Sequence, residues 1–156
     1  MWIHICAVGR LRQSAEKSLF DNYRIRFDKL GRNLALGPLQ LHEVKDRKHG
    51  SQSAEAALLS HVIPANSFIC SLDERGKIIS SPEFAAQLAK WRDDGQNDVS
   101  FLIGGADGLH ANLRASANFS LSFGKMVWPH MMVRLMLSEQ LYRAASILSG
   151  NPYHRS

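Results

Sequence analysis

Short apolar runs alternate with longer amphipathic segments along this chain. These short segments are five to eight residues long and predict strands at 2–8, 67–73, 98–105 and 119–123, and at 39–44, where apolar and polar residues alternate. The segments between them repeat apolar residues every three or four positions and predict helices at 11–31, 53–63, 81–95, 109–117 and 129–150. This alternation predicts a single α/β domain over 1–156, with a largely parallel sheet covered by helices on both faces.

Boundary residues refine several of these elements. Ser81 is the expected N-cap of the helix at 81–95, with Pro82 at its first position and Gly95 at its end. The residues ERGK (74–77) predict a turn after the third strand, and KDRKHGSQ (45–52) predicts a loop.

The last predicted helix is apolar around most of its circumference, so it must be buried. Its polar positions recur every fourth residue as one narrow stripe: His130, Arg134, Ser138, Tyr142 and Ser146. Two interpretations remain open. The helix could pack against a second copy of the chain, with Arg134 and His130 near the seam, or it could run through the core of its own domain.

Charge and composition add little to this prediction. Lys and Arg number 19 against 14 Asp and Glu, a net charge of +5 that suits a polyanionic partner such as nucleic acid. Arg24, Arg26 and Arg47 are reasonable RNA contacts, although solvated surface charge is the default for each. Cys6 and Cys70 lie in apolar runs and are expected to be buried, reduced thiols rather than zinc ligands.

The sequence shows no pattern typical of a membrane span or a signal peptide, which favours a cytoplasmic protein. No apolar run approaches the roughly 20 residues of a membrane span. The first residues, MWIHICAVGR, lack the basic stretch that precedes the apolar part of a signal peptide. Export is therefore not expected.

Unusual residues cluster where the predicted strands end, which is where open α/β sheets bind ligands. The segment LIGGADGL (102–109) has adjacent glycines but matches neither the dinucleotide fingerprint nor a phosphate loop. Met126, Val127 and Trp128 form an apolar loop that could line a pocket or plug the core. The sequence has no nucleophile elbow and no His-Glu-x-x-His motif, which favours chemistry on a bound cofactor or positioned substrate.

These motifs carry a resemblance to a known family. LIGGADGL, followed by SLSFGKMVWPHMMVRLMLSEQLYRAASILSGNPYHRS (120–156), resembles the ribosomal RNA large subunit methyltransferase H family. The likeness includes AVG near the start and SLDERGK in mid-chain, and it covers essentially the whole sequence. Members are small SPOUT-class enzymes that methylate N3 of a pseudouridine in helix 69 of 23S ribosomal RNA.

The resemblance implies a parallel-sheet α/β-knot (SPOUT) fold whose C-terminal part is tied in a trefoil knot. It also implies a homodimer, S-adenosylmethionine as methyl donor, and the assembled 70S ribosome as substrate. By position, the implied cofactor-binding residues are Leu72, Gly104, Gly105, Gly124, Lys125, Met126, Val127, Trp128 and Pro129. Gly124, Val127 and Trp128 replace the Ser, Thr and Phe that are more common in this loop, so a side-chain hydroxyl contact at 127 would be lost.

Methyl transfer to an imide nitrogen requires alignment and loss of a proton. We hypothesise that Tyr153, His154 and Arg155 fold over a cofactor pocket, that of a partner subunit. His154 and Arg155 are the candidate catalytic residues, as a base and as a charge that stabilises the imide anion. Tyr153 and Arg134 are candidate substrate-binding residues. His130 is a competing base, but a first-turn structural residue is its more ordinary role.

Two other functions remain open at this stage. One is a ribosome-associated RNA-binding module without catalysis, in which the glycine loops are only turns. The other is a methyltransferase of the same fold that acts on a different RNA. No metal is implied by either.

Overall fold

Five parallel strands form one sheet in the order β2-β1-β4-β3-β5 in the computed structural model, which describes residues 1–46 and 51–155. The strands are β1 Trp2–Val8, β2 Leu39–Val44, β3 Phe68–Ile78, β4 Asp98–Ile103 and β5 Phe119–Ser122. The helices are α1 Ala15–Gly31, α2 Gln52–Val62, α3 Ser81–Asp93, α4 Ala111–Ala115 and α5 His130–Leu148. The predicted α/β fold with a parallel sheet is confirmed.

Helices cover both faces of the sheet because the central strands are apolar on both sides. In β1, Ile3 and Ile5 belong to the larger core, which α1, α3 and α5 cover. Cys6 and Val8 point to the opposite face, where they meet Leu59 of α2. This two-sided burial is the reason that β1 reads as a continuous apolar run.

The polar stripe of α5 faces into its own chain. Arg134, Ser138 and Ser146 are all 0% exposed. The hydroxyls of Ser138 and Ser146 donate to the backbone carbonyls of Leu135 and Tyr142 one turn earlier, so their polarity is satisfied within the helix. For these three residues, the structure agrees with the interpretation that α5 runs through the core of its own domain.

The structure corrects the predicted turn at 74–77. β3 continues through these residues to Ile78 and pairs with β5 on both sides of a register shift between Leu72 and Lys77. Gly76 permits the pairing, because a Cβ there would lie 2.7 Å from the backbone carbon of Leu121. The charged and glycine residues that indicate a turn instead form an irregular segment of β3 that pairs with β5.

The N-cap of α3 and the start of α1 also differ from the prediction. Ser80, not Ser81, is the N-cap of α3, and it forms a reciprocal capping box with Glu83. The helix α1 begins at Ala15 rather than at residue 11, with Ser14 as its N-cap. In both cases several polar residues lie close together, and the sequence does not show which of them is the N-cap.

Part of the predicted loop at 45–52, including Arg47, lies outside the described residues. Cys6 and Cys70 are buried and unbonded, as expected, and burial raises the pKa of the Cys6 thiol to about 12. Among residues 1–46 and 51–155, no helix is long and apolar enough to cross a membrane. In the same ranges, no three His, Cys, Asp or Glu residues are arranged to hold a metal ion.

Candidate cofactor site and C-terminal tail

A cavity of about 330 Å³ opens at the carboxyl ends of β4 and β5, beside residues 72–75 in the middle of β3. Its lining includes seven of the nine predicted cofactor residues: Leu72, Gly104, Gly105, Gly124, Met126, Val127 and Trp128. Lys125 and Pro129 belong to the same loop but do not line the cavity. The structure therefore brings together residues that lie more than 50 positions apart in the sequence.

The loop after β4 needs glycine at its first position. A Cβ on Gly104 would lie 2.4 Å from the backbone carbon of Gly108 and 2.6 Å from the nitrogen of Leu109. The loop closes on itself through the Gly108 N–H, which donates to the Gly105 carbonyl at 3.0 Å. Gly104 therefore allows a tight turn that leaves the backbone of this loop facing the cavity.

The loop after β5 is held at its base and open at its tip. The Ser122 hydroxyl accepts from the Gly124 N–H at 3.1 Å and lies 3.2 Å from the Glu74 carbonyl. Beyond it, Met126 and Val127 are 71% and 85% exposed. Apolar side chains at the mouth of a cavity indicate a surface that is covered when a ligand or a partner binds.

The rim of the cavity carries acidic groups. Asp73 is held by Arg75, whose backbone N–H and Nε lie 2.9 and 3.1 Å from Oδ1. Across the glycine loop, burial and then the negative charges of Asp46 and Asp107 raise the pKa of the Glu55 carboxyl. Because the lining of the cavity holds Asp73, Glu74 and Asp107 against Arg75, it favours a ligand that carries positive charge.

His130 lines the cavity from the first turn of α5. Burial, and next the positive charge of Arg134, lower the pKa of its imidazole against an opposing effect of Asp46. Its Nε2 lies 3.1 Å from the point where a Cβ on Gly9 would stand. The imidazole ring thus packs closely over the end of β1.

Arg134 joins α5 to the ends of the two neighbouring strands. Its guanidinium donates to the carbonyls of Val8 and Gly9 at 2.8 and 3.0 Å, and to the Glu43 carboxylate at 2.7 Å. Glu43 also accepts from the Leu11 N–H at 2.7 Å. Arg134 is fully buried, which argues against the predicted contact of its side chain with substrate and indicates a structural role for this residue.

The C-terminal tail lies on α5 and not at the cavity of its own chain. The Tyr153 hydroxyl donates to Glu139 at 3.0 Å, and its ring centre is 4.6 Å from that of Tyr142. Burial, followed by hydrogen bonds with Tyr23 and Glu139, raises the pKa of the Tyr153 phenol. None of Tyr153, His154 and Arg155 lines the cavity.

Two residues that sequence reasoning missed organise this tail. Glu139 accepts from the Nε and Nη2 of Arg143 at 3.0 and 2.5 Å. Arg143 lies over the Tyr153 ring at 4.9 Å, and its Nη1 is 3.4 Å from the Nδ1 of His154. The signal available in the sequence was the i,i+4 spacing of the Glu and the Arg, which by itself is typical of any exposed helix.

A second, apolar groove of about 490 Å³ lies next to the cavity and shares Leu121, Phe123 and Gly124 with it. Leu19 of α1 and Ile78 of β3 are 49% and 61% exposed along this groove. Glu139 also lines it, so the groove reaches the place where the tail is bound.

The fold and the site together define an α/β protein with a ligand cavity at the carboxyl ends of a parallel sheet. A family model described as "Predicted SPOUT methyltransferase" matches residues 1–154. A solved structure of a probable methylase family protein from Haemophilus influenzae Rd KW20 superposes with a TM-score of 0.52 at 13% identity, over 99% of this chain and 70% of that chain. At this identity the likeness supports the fold.

Curated relatives are much more similar in sequence. A protein of Ruegeria sp. (strain TM1040) is 63% identical over 155 residues, which are 99% of both chains. A protein of Roseobacter denitrificans is 60% identical over 156 residues, all of both chains. Both are named ribosomal RNA large subunit methyltransferase H. The chain is thus a SPOUT methyltransferase and belongs to the ribosomal RNA large subunit methyltransferase H family.

Proposed function

We propose that this chain transfers the methyl group of S-adenosylmethionine to N3 of a pseudouridine in helix 69 of 23S ribosomal RNA. It does so in the cytoplasm, as a homodimer, on the assembled 70S ribosome. The main support is the near-complete match to relatives named for methylation of large-subunit ribosomal RNA. The trefoil knot that the family resemblance implies remains a prediction.

The cavity suits S-adenosylmethionine, which supplies an electrophilic methyl group when it is bound. Gly104 and Gly105 bring backbone groups close enough to hydrogen-bond a purine or an amino acid. Leu72, Val127 and Trp128 offer apolar contacts for the adenosine. The acidic residues Asp73, Glu74 and Asp107, which outnumber Arg75 in the lining of the cavity, favour the positive charge of a sulfonium or an ammonium group.

The tail supplies the groups that the cavity lacks. His154 and Arg155 are placed to act on a substrate base only if they reach a cavity other than that of their own chain, because neither lines it. The exposed Met126 and Val127, together with the apolar groove beside the tail, give a second copy a surface to cover. We therefore propose that the tail of one protomer completes the site of the other.

The chemical work of the chain is alignment and charge stabilisation. N3 of the base must lose its proton before or during methyl transfer, and the charge then spreads onto the neighbouring carbonyl oxygens. A cationic Arg155 stabilises that charge, and His154 contacts the imide as a base or as a hydrogen-bond donor. Tyr153 then acts as the anchor of the tail rather than as a substrate contact, since its hydroxyl is bonded to Glu139.

Methyl transfer from labelled S-adenosylmethionine to purified 70S ribosomes tests this function. We expect label in helix 69 of 23S RNA, with mass spectrometry placing the methyl group on N3 of pseudouridine. Calorimetry with S-adenosylmethionine separates the enzyme from a binding module: micromolar affinity supports catalysis, and no binding contradicts it. Label at another RNA position would identify a methyltransferase of the same family with a different target.

A further inference from the structure

Glu139, Arg143 and His154 form a chain of contacts that begins on α5 and ends on the tail. Glu139 fixes the Arg143 guanidinium through two N–H groups, Nε and Nη2. The remaining side of the same guanidinium faces the tail, with Nη1 3.4 Å from the Nδ1 of His154. The planar guanidinium can serve both partners at once because its donors point in fixed directions.

The chemistry of this contact determines which imidazole nitrogen carries the proton. An arginine side chain only donates hydrogen bonds, so the Nδ1 of His154 must accept. An accepting Nδ1 has no proton, which leaves the proton of the neutral ring on Nε2. The other titratable groups at this cluster are Glu139, Tyr153 and Tyr23. Glu139 is paired with Arg143 and Tyr153, and Tyr23 lies against Tyr153.

We propose that Arg143, held by Glu139, is a positioning residue that fixes His154 as the Nε2–H tautomer and presents this N–H to the substrate. This inference rests on the proposed function and assigns His154 a definite role within it. Nε2–H is a donor, so His154 hydrogen-bonds a carbonyl oxygen of the pseudouridine and stabilises the imide anion. It does not remove the N3 proton.

The reaction then balances without a protein base. The N3 proton leaves to a solvent base, and the electron pair of that N–H bond remains on the imide. N3 forms the new bond to the methyl carbon while the bond from that carbon to sulfur breaks, with its electron pair staying on sulfur. S-adenosylhomocysteine leaves as the neutral thioether, and Nε2–H and Arg155 stabilise the charge on the base until the methyl group is bound.

The tautomer is measured directly by nitrogen-15 NMR of the His154 imidazole in the whole protein at neutral pH. His154→Gln identifies the signal. We expect an unprotonated Nδ1 and a protonated Nε2 in the wild type. A protonated Nδ1 in the neutral ring, or an imidazolium, would overturn the proposal, and this readout does not depend on whether the protein methylates ribosomes.

Substitution of Arg143 tests the consequence for catalysis. Arg143→Met removes the donor and keeps the length, and we expect a mixed tautomer and a kcat lower by about tenfold or more, with the Kd of S-adenosylmethionine unchanged. Arg143→Lys retains a donor and should restore most of the tautomer preference and of kcat. Arg92→Met, on α3 and outside both cavities, is the matched control.

The outcomes separate the inference from the proposed function. An unchanged kcat in Arg143→Met would contradict the positioning role even if the wild type methylates helix 69. A wild type with the Nε2–H tautomer but no methyl transfer to ribosomes would contradict the proposed function instead. If Arg143→Met does not fold, the wild-type NMR spectrum and Arg143→Lys still decide the tautomer.

Discussion

Gly104 is the single residue on which the shape of the cofactor cavity depends most directly. A Cβ there would meet backbone atoms of Gly108 and Leu109, which cannot move aside as a flexible side chain could. We expect Gly104→Ala to lower the affinity for S-adenosylmethionine by about tenfold or more, because the loop must open to make room for the alanine side chain. Isothermal calorimetry measures this loss.

Gly95 provides the control for Gly104. It has a φ of +84° and no heavy atom within 4 Å of an added Cβ, so Gly95→Ala strains the backbone without any clash. We expect a loss of about 1 kcal/mol in the free energy of unfolding and an unchanged affinity for the methyl donor. Equal affinity losses in both variants would show that the cavity is sensitive only to general destabilisation.

Arg134 is the residue whose loss should cost the fold most. Arg134→Met removes three donors, and it leaves Glu43 and the carbonyls of Val8 and Gly9 without them. Breaking a buried ion pair from one side typically costs about 3–5 kcal/mol, and we expect a loss of this size in urea unfolding. Lys90→Met, which breaks an ion pair on the surface of α3, should change the free energy of unfolding by less than about 1 kcal/mol.

Arg134 also shows what a sequence pattern leaves open at the scale of a residue. Its place in the polar stripe of α5 was predicted, but such a stripe is equally typical of a helix at an interface between two chains and of a helix buried in the core of one chain. The decisive partners are Glu43 and two backbone carbonyls, which lie about 90 to 125 residues away in the chain. Helical periodicity carries no information on contacts at such separations.

At the scale of the element, the capping box of α3 gives stability that depends on pH. Hydrogen bonds from the backbone N–H and then the hydroxyl of Ser80 lower the pKa of the Glu83 carboxyl. A lowered pKa in the folded state means that the charged carboxylate stabilises the fold above its ordinary pKa, and that this stability is lost as the pH falls through the folded pKa. We expect Glu83→Gln to lower the free energy of unfolding at pH 7, and we expect this difference to shrink as the pH is lowered towards 3.

Glu55→Gln is the matched control, because the pKa of Glu55 shifts in the opposite direction. A raised pKa means that the charged carboxylate destabilises the folded state above the folded pKa. Removal of the charge should therefore raise the free energy of unfolding at pH 7. The gain should disappear once the pH falls below the ordinary pKa of a glutamate. Urea unfolding at both pH values tests the pair, and a loss of stability at pH 7 in both variants would contradict these assignments.

The elements themselves were largely predictable from the sequence, but some of their ends were not. β1 and β2 have the predicted bounds, because an apolar run and an alternating segment, each between clear stops, leave little choice. The continuation of β3 through ERGK was not predictable, because it depends on Gly76 fitting against the backbone of β5. A glycine that indicates a turn by its local propensity here serves a close contact between strands.

At the scale of the whole molecule, the cavity was predictable and the position of the tail was not. The cavity residues follow from the rule that parallel strands place their carboxyl ends at one edge, supported by the family resemblance. The position of the tail depends on Glu139 and Arg143, a pair with no distinctive spacing. The proposed dimer therefore requires a test that separates a tail acting on its own cavity from one acting on the cavity of a partner.

Mixing two inactive variants makes this separation. One variant lacks residues 153–156, so its cavity is intact and its tail is missing. The other carries Gly104→Val, so its tail is intact and its cavity is blocked. If the tail acts across the dimer, each mixed dimer contains one complete site. Random exchange makes half of the dimers mixed, so methyl transfer should recover to about a quarter of the wild-type rate per protomer.

A tail that acts on its own cavity predicts no recovery, because no protomer in the mixture then holds both an intact cavity and an intact tail. The mixture is unfolded and refolded together so that subunits exchange, and each variant treated alone provides the baseline. Adding His154→Ala to the Gly104→Val protomer should abolish the recovery, since the only usable tail then lacks its imidazole. Recovery that persists in that mixture would show that His154 is not needed at the site, whichever protomer supplies the tail.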